Sequence, residues 1–340
     1  MLRAKLLNFL SSYGTIGLGV VLLFTGSVFF TSAKTTAYQP FPVAGIRAET
    51  GVGGDLNQTL PVAQPTIPLL KSTSSTLTLP LTAAAVLVVD DTSNAVLYSK
   101  NPDAIRPLAS ITKLMTALVL LDLPVSWSST TVITSEDWDG ESHLVEVGEK
   151  YTLEDLWHVA LIGSSNTAIS ALVRNSTVTS TQFVALMNVK AVALGLSTAS
   201  FVEPTGLNSG NVASLGDTVS LLKEAIRRDK IFKALHTGEY YAAPLGAAKQ
   251  RRIWSTNWLL TNWIPNDFSV ENIVGKTGYI NDSLYNFTVR LTDERGHALR
   301  IAVLGAATAE ARFTEARDAA TWVFKNYLWP GDPGYDALTE

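Results

Sequence analysis

The chain contains no cysteine, so thiol nucleophiles, thiolate metal sites and disulfide scaffolds are excluded, and any nucleophile must be oxygen or nitrogen. Histidine is scarce too. His143, His158, His236 and His297 stand far apart, and none falls in a His-x-His or HExxH pattern that would bring two imidazoles to one metal. A zinc peptidase is therefore not expected, and nothing in the sequence calls for a cofactor or a metal. Strong charge of one sign is also missing: the net charge is −4 with basic residues scattered, which gives no electrostatic reason for a nucleic-acid partner.

What is present first is an export signal. Arg3 and Lys5 precede an uncharged run from Leu6 to Ala33 that includes the apolar stretch Ile16 to Phe30. That run is long enough to cross a bilayer at roughly 20 residues, while Thr31-Ser32-Ala33 resembles a small-residue cleavage site. Residues 1–33 are read as a signal or transmembrane anchor, uncleaved by preference. Positive charge on the amino-terminal side then keeps the start cytoplasmic and places everything after Lys34 outside the membrane, on the cell-wall side; cleavage would give a secreted protein.

Residues 34–80 are rich in Thr, Ser, Pro, Gly and Gln and read as a flexible linker, with packing of part of it as an extended strand the alternative. Structure is expected from residue 81 to 330, with 331–340 as a tail. Ala83 to Val89 and Ala95 to Lys100, around Asp90-Asp91-Thr92-Ser93-Asn94, predict a hairpin. Helices are predicted over Ser110 to Leu121, Thr152 to Trp157 and Ser165 or Asn166 to Arg174. Near the other end come strands over Asn272 to Lys276, Tyr285 to Leu291 and Ala298 to Leu304, and a helix over Ala309 to Tyr327. Strands at both ends with helices between them predict an α+β fold in which the terminal strands pair into one antiparallel sheet beside a mainly helical subdomain.

The chemistry concentrates in three short patterns. Ser110-Ile111-Thr112-Lys113 places a hydroxyl and an amine three positions apart at the start of a helix, on one face, where the lysine can reach the serine. A lysine desolvated in a pocket can take the serine proton, and the helix amino terminus adds positive potential where an oxyanion would form. Alone this pattern is weak, since Ser220-Leu221-Leu222-Lys223 has the same spacing inside an ordinary amphipathic segment. Ser164-Ser165-Asn166 forms a polar turn between apolar helices and can present a hydroxyl and a carboxamide to a cleft. The same pattern recurs at Ser209-Gly210-Asn211 and Ser255-Thr256-Asn257, which lack that context. Lys276-Thr277-Gly278 occurs once, beside a predicted strand, where a cation, a hydroxyl and a residue without a side chain can hold a carboxylate and admit a close backbone.

Ser-x-x-Lys, Ser-x-Asn and Lys-Thr-Gly in this order resemble the motif set of penicillin-binding proteins and serine β-lactamases. From Ala83 to Tyr327 the chain resembles the D-alanyl-D-alanine carboxypeptidases of the low-molecular-mass penicillin-binding proteins, with a β-lactamase/transpeptidase-like fold. Arg106 to Ala117, Val147 to Leu156, Pro204-Thr205-Gly206-Leu207 with Ser214 and Asp217, and Val274 to Tyr279 are the stretches that carry it. The resemblance implies a serine-type carboxypeptidase that trims peptidoglycan stem peptides ending in D-Ala-D-Ala through an ester on Ser110, and that β-lactams acylate covalently. It makes Ser110 the nucleophile and Lys113 its base, with Ser164 and Lys276 relaying the proton and Asn166 holding the peptide amide. Thr277 would bind the terminal carboxylate, the backbone N–H groups of Ser110 and of Tyr279, just after Gly278, would make the oxyanion hole, and Arg312 would stand near the carboxylate.

The chain departs from the family at Ile280 and Leu284, where Thr and Gly are usual, and at Glu203, where Asn is more frequent. No β-rich second domain or carboxy-terminal amphipathic anchor follows the last predicted helix, so the amino-terminal segment is expected to supply the tether. Three other readings stand beside the first: an endopeptidase cutting D-Ala cross-links, a β-lactamase in which Glu203-Pro204 supplies the deacylating carboxylate, and a non-enzymatic wall-binding module with a decayed site.

Overall fold

The computed structural model describes residues 67–72, 80–140 and 144–339; the expected anchor, residues 1–33, and most of the expected spacer lie outside the described residues. Within the range read as a flexible linker, Leu69–Leu70 is a short strand, β1, paired antiparallel with Leu328 and Tyr327. Lys71 extends the pairing through its N–H to Asn326 O at 2.9 Å and its Nζ to Lys325 O at 2.7 Å. This stretch therefore packs on the domain, because its two leucines find strand partners in Tyr327 and Leu328, just after the last helix. The expected tail is docked as well: Tyr335 is buried and its hydroxyl donates to Ile67 O at 2.8 Å.

The predicted hairpin forms as β2 (Ala85–Asp90) and β3 (Val96–Lys100), turned by Asp90 Oδ2, which accepts from the Ser93 N–H and hydroxyl at 2.7 Å each. A two-residue strand, β4 (Arg106–Pro107), leads into a 3-10 turn, Ala109–Thr112, and then α1 (Lys113–Asp122). The serine expected to open a helix thus sits one turn earlier, in tighter 3-10 geometry. Next come β5 (Thr130–Val132), β6 (Lys150–Thr152), α2 (Leu153–Ile162), α3 (Asn166–Arg174) and α4 (Ser180–Ala193). Thr152, Ser165 and Thr179 cap these three helices through their side-chain oxygens, which satisfies amide groups that the first helical turn leaves open.

β7 (Val212–Ala213), α5 (Leu215–Ile226) and α6 (Asp229–Leu235) follow, and then the hairpin β8 (Glu239–Ala242) and β9 (Arg251–Trp254). The chain closes with β10 (Val274–Ile280), β11 (Leu284–Thr292), β12 (Ala298–Ala306), α7 (Ala311–Asn326) and β13 (Tyr327–Leu328).

Five strands form one antiparallel sheet in the order β10-β11-β12-β2-β3, so strands from the two ends of the domain meet at β12 and β2. Every residue of β2 and β12 is buried, which explains why these runs, apart from Asp90 and Arg300, are apolar rather than alternating. The strand period of two divides them. Ala85, Leu87 and Val89 join the core shared with α1 to α6, while Val86 and Val88 join Phe287, Ile301 and Val303 against Phe313, Ala316 and Ala320 of α7. The helical subdomain thus lies on one face and α7 on the other, and β10 is left as an edge strand beside the 3-10 turn that carries Ser110.

Candidate active site

The nucleophile segment is held by its neighbours rather than by its own turn. Ala109, immediately before Ser110, has φ 49°, in the left-handed region that costs an L-residue of order 1–3 kcal/mol. Two contacts impose it. Asn286 on β11 donates from Nδ2 to Pro107 O at 2.8 Å while its Oδ1 accepts from Gly305 N, locking the segment to the sheet. On the other side Gly206, itself at φ 94°, lies so close that a Cβ there would meet Ala109 O at 2.1 Å.

Glu203 fixes the loop that carries Gly206. Its carboxylate accepts from Thr205 N and Oγ1, from Gly206 N, and from Asn211 Nδ2 at 2.7 Å or less. A carboxylate engaged by four donors organises a turn, which weighs against the reading of Glu203 as a base that activates water. Thr205 turns its carbonyl toward the site as a result.

Lys113 is fully buried and its Nζ has three partners: Ser110 Oγ at 2.8 Å, Asn166 Oδ1 at 2.5 Å and Thr205 O at 2.7 Å. Burial pushes this lysine down to about 7, against the upward pull of the negative charges on Glu203 and Asp139. The partner set suits the neutral amine. Its two N–H bonds can serve the two carbonyl acceptors, and its lone pair then faces the Ser110 hydroxyl.

Lys276, on the edge strand, is also buried, with Nζ 2.7 Å from Ser164 Oγ and 3.0 Å from Thr277 O. Its ammonium is disfavoured by burial and then by the positive charges of Lys113 and Arg312, which together place it well below the ordinary lysine value. Ser164 reaches it from the turn between α2 and α3, where its own φ is 63°. Two lysines and two serines, from three separate segments, thus meet in a site that favours at least one uncharged amine.

Gly278 lies against the nucleophile turn: a Cβ would fall 2.6 Å from Leu108 O and 3.1 Å from Ser110 N, so only glycine lets β10 approach. Thr277 is buried and its Oγ1 is 2.8 Å from Thr256 Oγ1. Arg312, at the start of α7, is buried, donates to Gly278 O at 3.3 Å, and keeps a buried Nε with no partner among the described residues. Burial lowers its guanidinium to about 10. Tyr279 is exposed and stacks on Tyr285, with ring centroids 4.4 Å apart.

All nine residues singled out from the sequence therefore lie in or beside one cleft. By contrast Ser220 and Lys223 stay within α5, where Lys223 Nζ turns away to Asn94 Oδ1 at 3.0 Å. Sequence reasoning missed Thr205, which contributes only a backbone carbonyl, and Thr256, the middle residue of a Ser-x-Asn pattern set aside for lack of context. Thr256 reaches Thr277 because the residues after β9 are tied to the end of α2, just ahead of the second motif: Thr256 N donates to Ile162 O at 3.1 Å. Among the described residues no group of His, Asp and Glu is arranged to hold a metal ion.

Residues 71–308 match the model of the peptidase family S11, D-alanyl-D-alanine carboxypeptidase. A D-alanyl-D-alanine endopeptidase of Pseudomonas aeruginosa is 32% identical over 251 residues, 72% of this chain and 77% of that protein. One of Escherichia coli K12 is 30% identical over 256 residues, 74% of this chain and 80% of its own length. The D-alanyl-D-alanine carboxypeptidase DacF of Bacillus subtilis is 32% identical over 253 residues, 72% of this chain and 62% of its length. In fold, the crystal structure of the Streptomyces K15 DD-transpeptidase superposes with a TM-score of 0.66 at 22% identity, covering 74% of this chain and all of the other.

Proposed function

Because the chain belongs to the D-alanyl-D-alanine carboxypeptidase family of serine peptidases, we propose that it hydrolyses peptide bonds on the carboxyl side of D-alanine in peptidoglycan through an acyl-enzyme on Ser110. The observation that carries this reading is the buried Lys113 amine 2.8 Å from Ser110 Oγ, held near neutrality at physiological pH.

In the acylation step Ser110 Oγ attacks the carbonyl carbon of a D-alanine residue as Lys113 Nζ takes the hydroxyl proton. The developing oxyanion lies between the backbone N–H of Ser110 and that of Tyr279, on the two segments that Gly278 brings together. As the carbon–nitrogen bond breaks, the proton taken up by Lys113 reaches the leaving amine by way of Ser164, whose Oγ is held 2.7 Å from Lys276 Nζ, and Lys113 is left neutral. Asn166 holds the peptide amide. The carboxylate of the leaving residue meets Thr277 and the guanidinium of Arg312, whose Nε has no partner among the described residues. Water then cleaves the ester, Lys113 serving again as base, and β-lactams react at the same serine without an amine able to diffuse away.

Two bonds fit this chemistry, the terminal D-Ala-D-Ala bond and a D-alanyl cross-link between stem peptides. The cross-link is the favoured substrate here, since two relatives with the endopeptidase name share 77% and 80% of their length with the chain, against 62% for the carboxypeptidase DacF. Carboxypeptidase action is the second reading and rests on the family as a whole. Purified cross-linked muropeptide dimers and a linear pentapeptide ending in D-Ala-D-Ala, offered in parallel, separate the two: faster release of monomers supports the endopeptidase, faster release of D-alanine the carboxypeptidase. Cleavage of neither, with no penicillin adduct on Ser110, refutes both. The site is placed on the cell-wall side of the membrane, tethered by residues 1–33, a proposal that fractionation and protease accessibility in intact cells test directly.

A further inference from the structure

Next to the cleft the hairpin β8–β9 and the loop after it carry an aromatic surface that the catalytic scheme leaves unused. Tyr241 is 47% exposed, Trp254 43% and Trp263 58%, although large aromatic rings ordinarily gain most by burial. The tryptophans form one cluster, and Tyr241 joins it through Arg252, 5.9 Å from its ring. Trp254 and Trp263 have centroids 6.2 Å apart at 51°, Trp263 and Trp258 5.8 Å apart at 44°, and Trp258 stacks at 5.2 Å on Phe313, the neighbour of Arg312.

The cluster is built rather than accidental. Arg252 lies 3.8 Å over the Trp254 ring, and its guanidinium is ion-paired with Glu239 on the facing strand, which pins the ring in place. Elsewhere in the fold indole N–H groups are engaged, Trp157 with Lys230 O at 3.3 Å and Trp329 with Asp90 Oδ1 at 2.7 Å. Among the described residues none accepts from the indole N–H of Trp254, Trp258 or Trp263. The surface is continuous with the active site: Thr256, two residues after Trp254, touches Thr277, and Arg312, beside Phe313, touches Gly278.

We propose that these rings are a subsite for a pyranose ring of the glycan strand that carries the stem peptide, an N-acetylhexosamine stacked against Trp263. This rests on the peptidoglycan-hydrolase reading above and specifies which part of that substrate is recognised outside the cleft. The apolar C–H face of a pyranose matches the negative face of an indole, while its hydroxyl and acetamide oxygens can accept from the open indole N–H groups. A bilayer fits the surface less well, because the Glu239 carboxylate stands at its rim and the rings are tilted against one another beside the catalytic strand.

The test compares the full chain with its Trp263→Ala and Trp263→Phe variants, exposed-ring substitutions that leave the core untouched. The first arm follows intrinsic fluorescence during titration with a chito-tetraose. Saturable quenching is expected in the parent protein; in Trp263→Phe the neighbouring Trp254 and Trp258 should still report saturation at a similar sugar concentration, and in Trp263→Ala they should report none. The second arm measures kcat/KM on cross-linked muropeptides with their sugars and on the same dimers after the sugars are removed. Trp263→Ala should lower the first about tenfold and the second less than twofold. No quenching in the parent protein, or an equal loss on both substrates, overturns the subsite while leaving the peptidase reading intact. Quenching without cleavage of either substrate would instead remove the peptidase reading and keep the subsite. Loss of binding to phosphatidylglycerol vesicles in Trp263→Ala, with no response to the sugar, would assign the surface to a membrane and overturn the proposal.

Discussion

Acylation of Ser110 should rise with pH along a single limb centred on the Lys113 amine. With that group at about 7, the neutral fraction grows from about 0.09 at pH 6 to about 0.9 at pH 8, roughly a tenfold gain. A lysine left at its usual 10.5 would be neutral about three times in ten thousand at pH 7, so burial raises the population of competent base on the order of a thousandfold. The sign of the electrostatic contribution is testable separately. Asp139 holds the Lys113 value up, and Asp139 Oδ1 accepts a hydrogen bond from Thr167 at 3.1 Å that an asparagine oxygen can keep. Asp139→Asn should therefore move the limb toward acid and raise acylation at pH 6. Rapid-quench measurement with a fluorescent penicillin from pH 5.5 to 8.5 gives the profile for both proteins. A flat or falling profile in the parent, or an alkaline shift in Asp139→Asn, would show that Lys113 is not the base.

The remaining expectations concern stability and the site's framework. Both buried lysines lie below their unfolded values, so the unfolded chain binds more protons above pH 7 and stability should rise as pH increases from there; for Lys113, from about 7 toward 10.5, the full change is about 5 kcal/mol as an upper figure. Thermal melts at pH 6.5 and 9 would show the higher midpoint at pH 9, and the reverse order would contradict the burial of uncharged amines. Gly206→Ala must relieve a 2.1 Å contact with Ala109 O from a backbone at φ 94°, and should cost about 2–4 kcal/mol in denaturant unfolding together with the penicillin adduct. Ser220→Ala should leave the adduct unchanged by intact mass, whereas Ser110→Ala should abolish it without lowering the melting midpoint by more than a degree or two. Arg312→Gln should raise KM about tenfold for substrates with a free carboxylate and lift Lys276 toward its usual range, since the guanidinium charge helps to hold it down; an unchanged KM would remove Arg312 from the carboxylate site.

Much of this architecture is written locally. A run such as Ala85–Val89 is buried on both faces, so it reads as a strand without help from its surroundings, and Thr152, Ser165 and Thr179 announce helix starts through their own side chains. A strand within residues 34–80 is only the alternative reading of the sequence, and its position at Leu69–Leu70 could not be read, since two leucines in a Ser- and Thr-rich stretch carry no period and gain a partner only when residues 327 and 328 arrive. The early placement of Ser110 in a 3-10 turn escaped for a similar reason: Ala109 adopts φ 49° because Asn286 and Gly206, far along the chain, press on it.

Which groups could do chemistry follows from the residues alone: with no cysteine, and with three ordered motifs, the candidates reduce to a few serines and lysines. What those groups become depends on the assembled fold. A lysine becomes a base at neutral pH through desolvation and through acceptors brought in from residues 166 and 205, neither of which the local sequence can supply. Ser220 and Lys223 keep the same spacing on a helix that turns its lysine to Asn94, and so remain an ordinary serine and lysine. Spacing is a property of the chain, whereas burial and the field inside the cleft belong to the assembled fold.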